Sequence, residues 1–309
     1  MNPFIRVIPS PLVRLFARPY VAGDSLRQAV DSAATLWREH HMLTTLDLLA
    51  ENIDTLQAAE ENTRTYLRMI DAVADDPRFA DPGIRPTLSL KPSSYTISPM
   101  DRGGDAAGSR DAVFAIAQHA GKRGVRITVD MESRHWTDFT IGLLRDLHAE
   151  GHTHVGAVFQ TRLFRTEHDL DALPASVRVR LVIGIYQEPD SVALADKHAM
   201  KDKLLFFAER LLTKGHYVEV GTHDEDYVRR FVDEMVPRLA LTPSQYEIQM
   251  LYGVPRDRLQ RELVERGIRV RLYMPFALGW SMAIAYLRRR LDEYPKMMFH
   301  VAKNMVSRG

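Results

Sequence analysis

The chain has 309 residues, 45% of them hydrophobic and 26% charged, the profile of a globular protein with room for one large α/β domain or two modest ones. Its formal net charge of +1 lacks the basic excess of a general nucleic-acid binder, so no nucleic-acid partner is expected. Cysteine is absent, which excludes disulfides, thiolate nucleophiles and cysteine-ligated metals and fits a cytoplasmic location.

The N-terminal stretch Met1 to Gly23 carries Arg6, Arg14 and Arg18 and no acid. Its apolar residues are interrupted by Arg6, Pro9, Pro11 and Arg14, so it lacks the continuous core of a signal peptide. The expectation is a helical arm over residues 1–42, packed on a main domain of residues 43–309. Its basic character is compatible with a peripheral contact at the inner face of a membrane. No apolar run in the chain approaches the roughly 20 residues that span a bilayer.

Short β-branched runs then alternate with amphipathic stretches. The predicted strands are Leu46–Leu49, Thr87–Lys91, Val125–Asp130, Val155–Gln160, Val179–Gly184, Tyr217–Gly221, Tyr246–Met250 and Ile268–Tyr273. Helical periodicity falls between them, as in Asp111–Lys122, Asp138–Glu150, Lys197–Lys214 and Asp224–Leu239. This alternation specifies parallel βα units. A doubly wound sheet has a similar rhythm, but about eight units in this length favour an α/β fold of the (β/α)8 TIM-barrel type. Ser98–Ser109, with Gly103, Gly104 and Gly108, reads as a mobile loop after the second strand.

Lys91, Asp130, Gln160, Arg180, Gln249 and Tyr273 fall at or near predicted strand ends. In a barrel those ends share one mouth, where sites are built. His223 lies in the loop after the sixth strand and would meet the same mouth. His152 and His154 alternate on a predicted strand, but no third ligand follows at a recognisable spacing, and no metal site is expected. No G-x-G-x-x-G and no Walker A loop is present. Gly279-Trp280-Ser281-Met282-Ala283 is only loosely like a nucleophile elbow and reads better as the entry to the last helix.

That last helix contains Tyr286-Leu287-Arg288-Arg289-Arg290-Leu291-Asp292-Glu293. Helical spacing puts Tyr286, Arg289, Arg290 and Glu293 on one face. Two guanidinium groups backed by a carboxylate can grip a small carboxylate in forked hydrogen bonds. Taken alone the segment also fits a solvated face with internal Glu/Arg pairs. Its place after an eighth strand, at the mouth that holds Lys91, favours the clamp.

In this order the pieces resemble the proline dehydrogenase family, over about Leu46 to Glu293. The motifs are Leu46-Asp47-Leu48-Leu49, Ser89-Leu90-Lys91, Val129-Asp130-Met131-Glu132, Val158-Phe159-Gln160, the run Leu163 to Leu170, Arg180-Leu181-Val182, Thr222-His223-Asp224, Gln249-Met250-Leu251-Tyr252-Gly253, Arg271-Leu272-Tyr273 and the Tyr286–Glu293 helix. The resemblance implies a barrel with FAD across its mouth, a small cyclic amino acid as substrate and a quinone as electron acceptor. It implies that Gln160 bonds the flavin ring and that Arg180 lies near flavin N5. Met131, Ile183, Gly184, Ile185, Thr222, His223 and Gln249 would touch the cofactor. Lys91, Arg289 and Arg290 would hold the substrate carboxylate, with Asp130 and Glu293 balancing their charge. Leu251, Tyr273 and Tyr286 would enclose the substrate ring, and Asp130 and Arg180 are the catalytic pair.

Two stretches depart from the family pattern. Ile183-Gly184-Ile185-Tyr186 stands where Lys-Gly-Ala-Tyr is usual, removing a cation and adding bulk beside the flavin. Lys91-Pro92-Ser93-Ser94 stands where Lys-Leu-Ser is usual. Both leave open another cyclic amino acid, such as a hydroxylated proline, as the substrate. A barrel that binds flavin or amino acid without turnover is the reading from a different class.

Overall fold

The computed structural model describes residues 20–50 and 53–279. Helix α1 (Leu26–His40) leads into eight strands, β1 (Leu43–Leu48), β2 (Thr87–Leu90), β3 (Ile127–Val129), β4 (Val155–Gln160), β5 (Val179–Val182), β6 (Val218–Gly221), β7 (Tyr246–Leu251) and β8 (Val270–Phe276). Between successive strands run α2 (Leu56–Asp75), α3 (Ser109–Arg123), α4 (Thr137–Ala149), α5 (Thr166–Asp171), α6 (Lys197–Thr213), α7 (Glu225–Arg229) and α8 (Asp257–Glu265). The strands pair in parallel and in chain order, and β8 closes on β1 from Leu43–Arg271 to Leu48–Phe276. The predicted (β/α)8 barrel is the observed fold.

Local chemistry explains the elements. Ser25, Thr55 and Asp196 cap α1, α2 and α6 by accepting from the amides of Gln28, Ala58 and Ala199. Gly124, at φ +63°, ends α3 in the left-handed conformation. The predicted Asp224–Leu239 helix is instead α7 followed by a π-helical stretch, Arg230–Met235, and Val236–Arg238. Pro237 supplies no amide and would crowd the preceding turn, which the wider π turn accommodates.

Strand β1 begins three residues earlier than expected, because Thr44 and Thr45 are buried and Thr45 Oγ1 lies 2.8 Å from Thr87 Oγ1. Ser98–Ser109 is laced by its own hydrogen bonds, among them Ala106 N to Ser98 O at 2.8 Å and Gly104 N to Pro99 O at 3.0 Å. A Cβ on Gly104 would strike the Ser98 carbonyl, so glycine is required by close backbone approach.

The apolar core lies between strands and helices, where Leu46, Leu88, Ile127, Val155, Val179, Val218, Ile248 and Val270 face the helical layer. Helix α1 packs on both β1 and β8. The chain entering it bonds along the end of β8, with Ala22 N to Pro275 O at 2.8 Å and Ala277 N to Gly23 O at 3.3 Å. Residues 1–19 of the expected arm, and with them the basic segment suited to a membrane surface, lie outside the described residues. Among the described residues, no helix is long and apolar enough to cross a membrane.

Candidate active site

Alternation along the strands sends every second side chain into the barrel. In this chain many of those side chains are polar: Thr45 and Asp47 on β1, Ser89 on β2, Thr128 on β3, Arg178 and Arg180 around β5, Glu219 on β6, Glu247 and Gln249 on β7, Arg271 and Tyr273 on β8. TIM-barrel interiors are more often filled with Val, Ile and Leu. Burying charge this way is tolerable only where each group is paired.

At the mouth, Lys91 follows β2 and Asp130 follows β3. The Lys91 ammonium donates to Asp47 Oδ1 at 2.6 Å and to the Tyr273 hydroxyl at 3.4 Å, and lies 3.6 Å from Asp130 Oδ2. Asp130 Oδ1 accepts from Ser89 Oγ at 2.6 Å and from Arg180 Nη1 at 3.0 Å. Tyr273 donates to Asp130 Oδ2 at 2.8 Å, and its ring centroid lies 5.2 Å from the Arg180 guanidinium carbon. Asp130 therefore stands between Lys91 and Arg180 with one oxygen toward each.

Burial pulls the Lys91 ammonium down, but the Asp47 and Asp130 carboxylates outweigh it and hold the group above the ordinary lysine range. Burial likewise opposes the Arg180 charge, and Glu219 and Asp130 outweigh it. Tyr273 is pushed well above the usual phenol range, first by burial and then by Asp130. At neutral pH Lys91 and Arg180 are thus fixed cations, and the Tyr273 phenol keeps its proton.

Deeper in the barrel, Arg180 Nε donates to Glu219 Oε2 at 3.3 Å. Arg178 Nη1 pairs with the other Glu219 oxygen and with Thr128 Oγ1 at 3.0 Å. Glu247 accepts from Arg271 Nε at 2.6 Å, from Gln249 Nε2 at 2.6 Å and from the Tyr217 hydroxyl at 3.0 Å. Burial would raise Glu219, yet Arg178, Arg180 and Arg271 bring it down to about 2.

The other half of the mouth is built around Gln160, at the end of β4. Its Nε2 donates to the Glu132 carbonyl at 2.7 Å. That bond fixes the carboxamide so that Oε1 is the acceptor left over, and among the described residues Oε1 is buried without a hydrogen-bond partner. Arg180 Nη2 is a second buried polar atom without one. Gly184 sits at φ +89°, and a Cβ there would press on Gln160 Oε1 and approach Arg162 Cδ at 3.0 Å. An orphan acceptor, an orphan guanidinium edge and a glycine leaving room beside them suit a flat heterocycle with its own N–H donor and acceptors. The residues present fit a flavin ring.

Around it Met131 is buried, Ile183 packs partly on the core and Ile185 is 41% exposed. Thr222 Oγ1 accepts from Asp224 N at 3.2 Å, and His223 Nε2 accepts from Leu251 N at 2.7 Å, tying the ends of β6 and β7 together. The rim is stapled across loops: Arg134 donates to Glu188 through its amide at 2.7 Å and Nη1 at 2.9 Å, and Leu194 N donates to Arg162 O at 2.8 Å.

The sequence-predicted residues are distributed unevenly. Lys91, Asp130, Arg180 and Tyr273 form one contact network, with Gln160 and Gly184 forming a second cluster. Arg180, Gln249 and Tyr273 lie two or three residues inside the ends of their strands, in the inward-facing row. Gln249 turns its amide down to Glu247. His152 and His154 precede β4 rather than belonging to it; their rings pack edge to face at 5.8 Å, and His154 Nε2 lies 2.9 Å from the Ala117 carbonyl. Among the described residues no group of three or more His, Asp or Glu side chains is placed to hold a metal. Tyr286, Arg289, Arg290 and Glu293, and the Trp280–Ala283 entry to their helix, lie outside the described residues.

Asp47, Ser89, Glu132 and Glu219 were given no role from sequence. Asp47 and Glu219 were signalled by a charge at an inward position of an apolar strand. Glu132 was less visible. It is buried, accepts from Ser93 N at 2.9 Å and from Ser93 Oγ, and is pushed up to about 7 by burial, partly offset by those bonds.

The proline dehydrogenase family model matches residues 29–298. A proline dehydrogenase of Deinococcus radiodurans is 35% identical over 297 residues, covering 94% of this chain and 90% of its own. Proline dehydrogenase 1 of Bacillus subtilis is 30% identical, with 96% and 92% covered. Among solved structures, proline utilization A from Bdellovibrio bacteriovorus superposes with a TM-score of 0.80 at 21% identity. That match takes in 89% of this chain and only 32% of the larger protein, and it speaks to the barrel alone. On the motifs, the barrel and the extent of these matches, the chain belongs to the proline dehydrogenase family.

Proposed function

We propose that the protein oxidises L-proline to Δ1-pyrroline-5-carboxylate, with FAD across the barrel mouth and a quinone taking the electrons onward. The observation that carries this reading is Asp130 set between Lys91 and Arg180, which joins a cation suited to a carboxylate with one suited to charge developing on a cofactor. FAD, when bound, supplies the hydride acceptor at N5.

The chain's own residues do the rest. Lys91 holds the substrate carboxylate together with Arg289 and Arg290, while Asp130 and Glu293 balance these cations. Tyr273, Tyr286 and Leu251 enclose the apolar ring and keep water out, which strengthens every charge contact inside. Arg180 turns its unpartnered Nη2 edge toward the cofactor and stabilises negative charge as it develops there. Gln160 Oε1 accepts from the flavin ring. Met131, Ile183, Gly184, Ile185, Thr222, His223 and Gln249 line the remainder of the cofactor's path.

Anaerobic addition of L-proline to the FAD-loaded protein should bleach its yellow colour. A protein that takes up no FAD, or that stays yellow with proline and every other cyclic amino acid, overturns the reading. A second reading keeps the chemistry and changes the substrate, and Ile183-Gly184-Ile185 beside Gln160 favours it through bulk at the flavin's edge. Bleaching by hydroxyproline but not by proline would select that one.

A further inference from the structure

Below the mouth, Glu219 has no place in binding either ligand, yet its carboxylate joins two arginines. Arg180 has five N–H groups. Its Nε meets Glu219 at 3.3 Å, and its Nη1 meets Asp130 at 3.0 Å and Ser89 Oγ at 3.2 Å. Among the described residues the Nη2 edge is left without a partner. The plane of the guanidinium is therefore set from two sides, by β6 and by the β2–β3 edge, and its free edge follows from that.

Glu219 cannot follow a moving arginine, because its other oxygen is held from beneath. Arg178 pairs with it while donating to Thr128 Oγ1 at 3.0 Å and to the Ile127 carbonyl at 2.7 Å. Room for Arg178 is made on β4 by Gly156, where a Cβ would lie 2.9 Å from Arg178 Nη2 and 3.0 Å from Cζ. Glu219 is 1% exposed, so its charge acts through protein rather than water.

We infer that Glu219 is a positioning residue for Arg180: anchored by Arg178, it holds the guanidinium with Nη2 outward and offsets part of the charge Arg180 brings to the cofactor. The consequence is a flavin midpoint potential set by this buried Arg178–Glu219–Arg180 row. This rests on the flavin reading above. Adding electrons to the cofactor adds negative charge, so removing the anion beneath Arg180 should make reduction easier. Removing the cation beneath Glu219 should make it harder.

The test is the flavin midpoint potential of FAD-loaded wild type, Glu219→Gln, Arg178→Met and the double variant, measured by equilibration with a redox dye. Expected is a shift to more positive potential in Glu219→Gln, a smaller shift to more negative potential in Arg178→Met, and a return toward wild type in the double variant. A plug that merely fills the barrel would move all variants in one direction or none, and either result overturns the inference. If Glu219→Gln does not fold, the charge-neutral double variant and Arg178→Met carry the test, with Arg178→Met expected alone to fall below wild type and failure to do so counting against it. Wild type that takes up no FAD strikes the functional reading instead, so the two failures are distinct.

Discussion

The Lys91 ammonium lies 2.6 Å from Asp47 Oδ1, a contact between β1 and the end of β2 that leaves the lysine charged and aimed across the mouth. Nothing in the chain between these residues requires them to meet; the parallel pairing sets Asp47 beside Ser89, and Lys91, two residues further along, reaches back to it.

Asp47→Asn should therefore remove the main anchor of Lys91 while Asp130 and Tyr273 stay beside it. A buried charge that loses its partner costs about 1–3 kcal/mol here, since Asp130 remains near. The expected outcome is a lower midpoint in urea and a proline dissociation constant raised about tenfold, with FAD retained. Flavin reduction titrated with proline, and urea unfolding, check the two parts.

Glu132 predicts a pH dependence. Burial raises it from 4.5 in the unfolded chain to about 7 in the fold. Between those values the folded protein holds a proton that the unfolded chain has released, so this group's stabilisation is complete below about pH 4.5 and is lost as pH rises through 7. Glu132→Gln keeps the shape without the ionisation. Wild type should lose roughly 2–3 kcal/mol more than Glu132→Gln between pH 5 and pH 8; identical slopes in urea unfolding would remove the basis for this assignment.

Gly184→Ala places a methyl against Gln160 Oε1 on backbone at φ +89°. Strain of about 1–3 kcal/mol is expected, together with displacement of the carboxamide. FAD affinity should fall at least tenfold in a protein that still melts cooperatively, as equilibrium dialysis and calorimetry would show.

Arg290→Ala addresses the clamp read from sequence. Loss of one forked contact to a carboxylate should weaken proline binding by about 2 kcal/mol, roughly thirtyfold, while the flavin spectrum is unchanged. Wholesale loss of FAD would place Arg290 elsewhere.

The alternating runs, the count of eight units and the ordered motifs around Lys91, Asp130, Gln160 and Arg180 were legible in the chain, because strand and helix periods and motif order are properties of neighbouring residues. Those residues also named the family. What the tertiary structure decided was partnership. That Asp47 serves Lys91, that Glu219 spans Arg178 and Arg180, and that Gln160 is oriented by the Glu132 carbonyl depend on strand pairing and register, which bring residues 28 to 44 positions apart into contact. A charge in an apolar strand announces itself from sequence, but which opposite charge neutralises it is settled only when the strands are laid side by side.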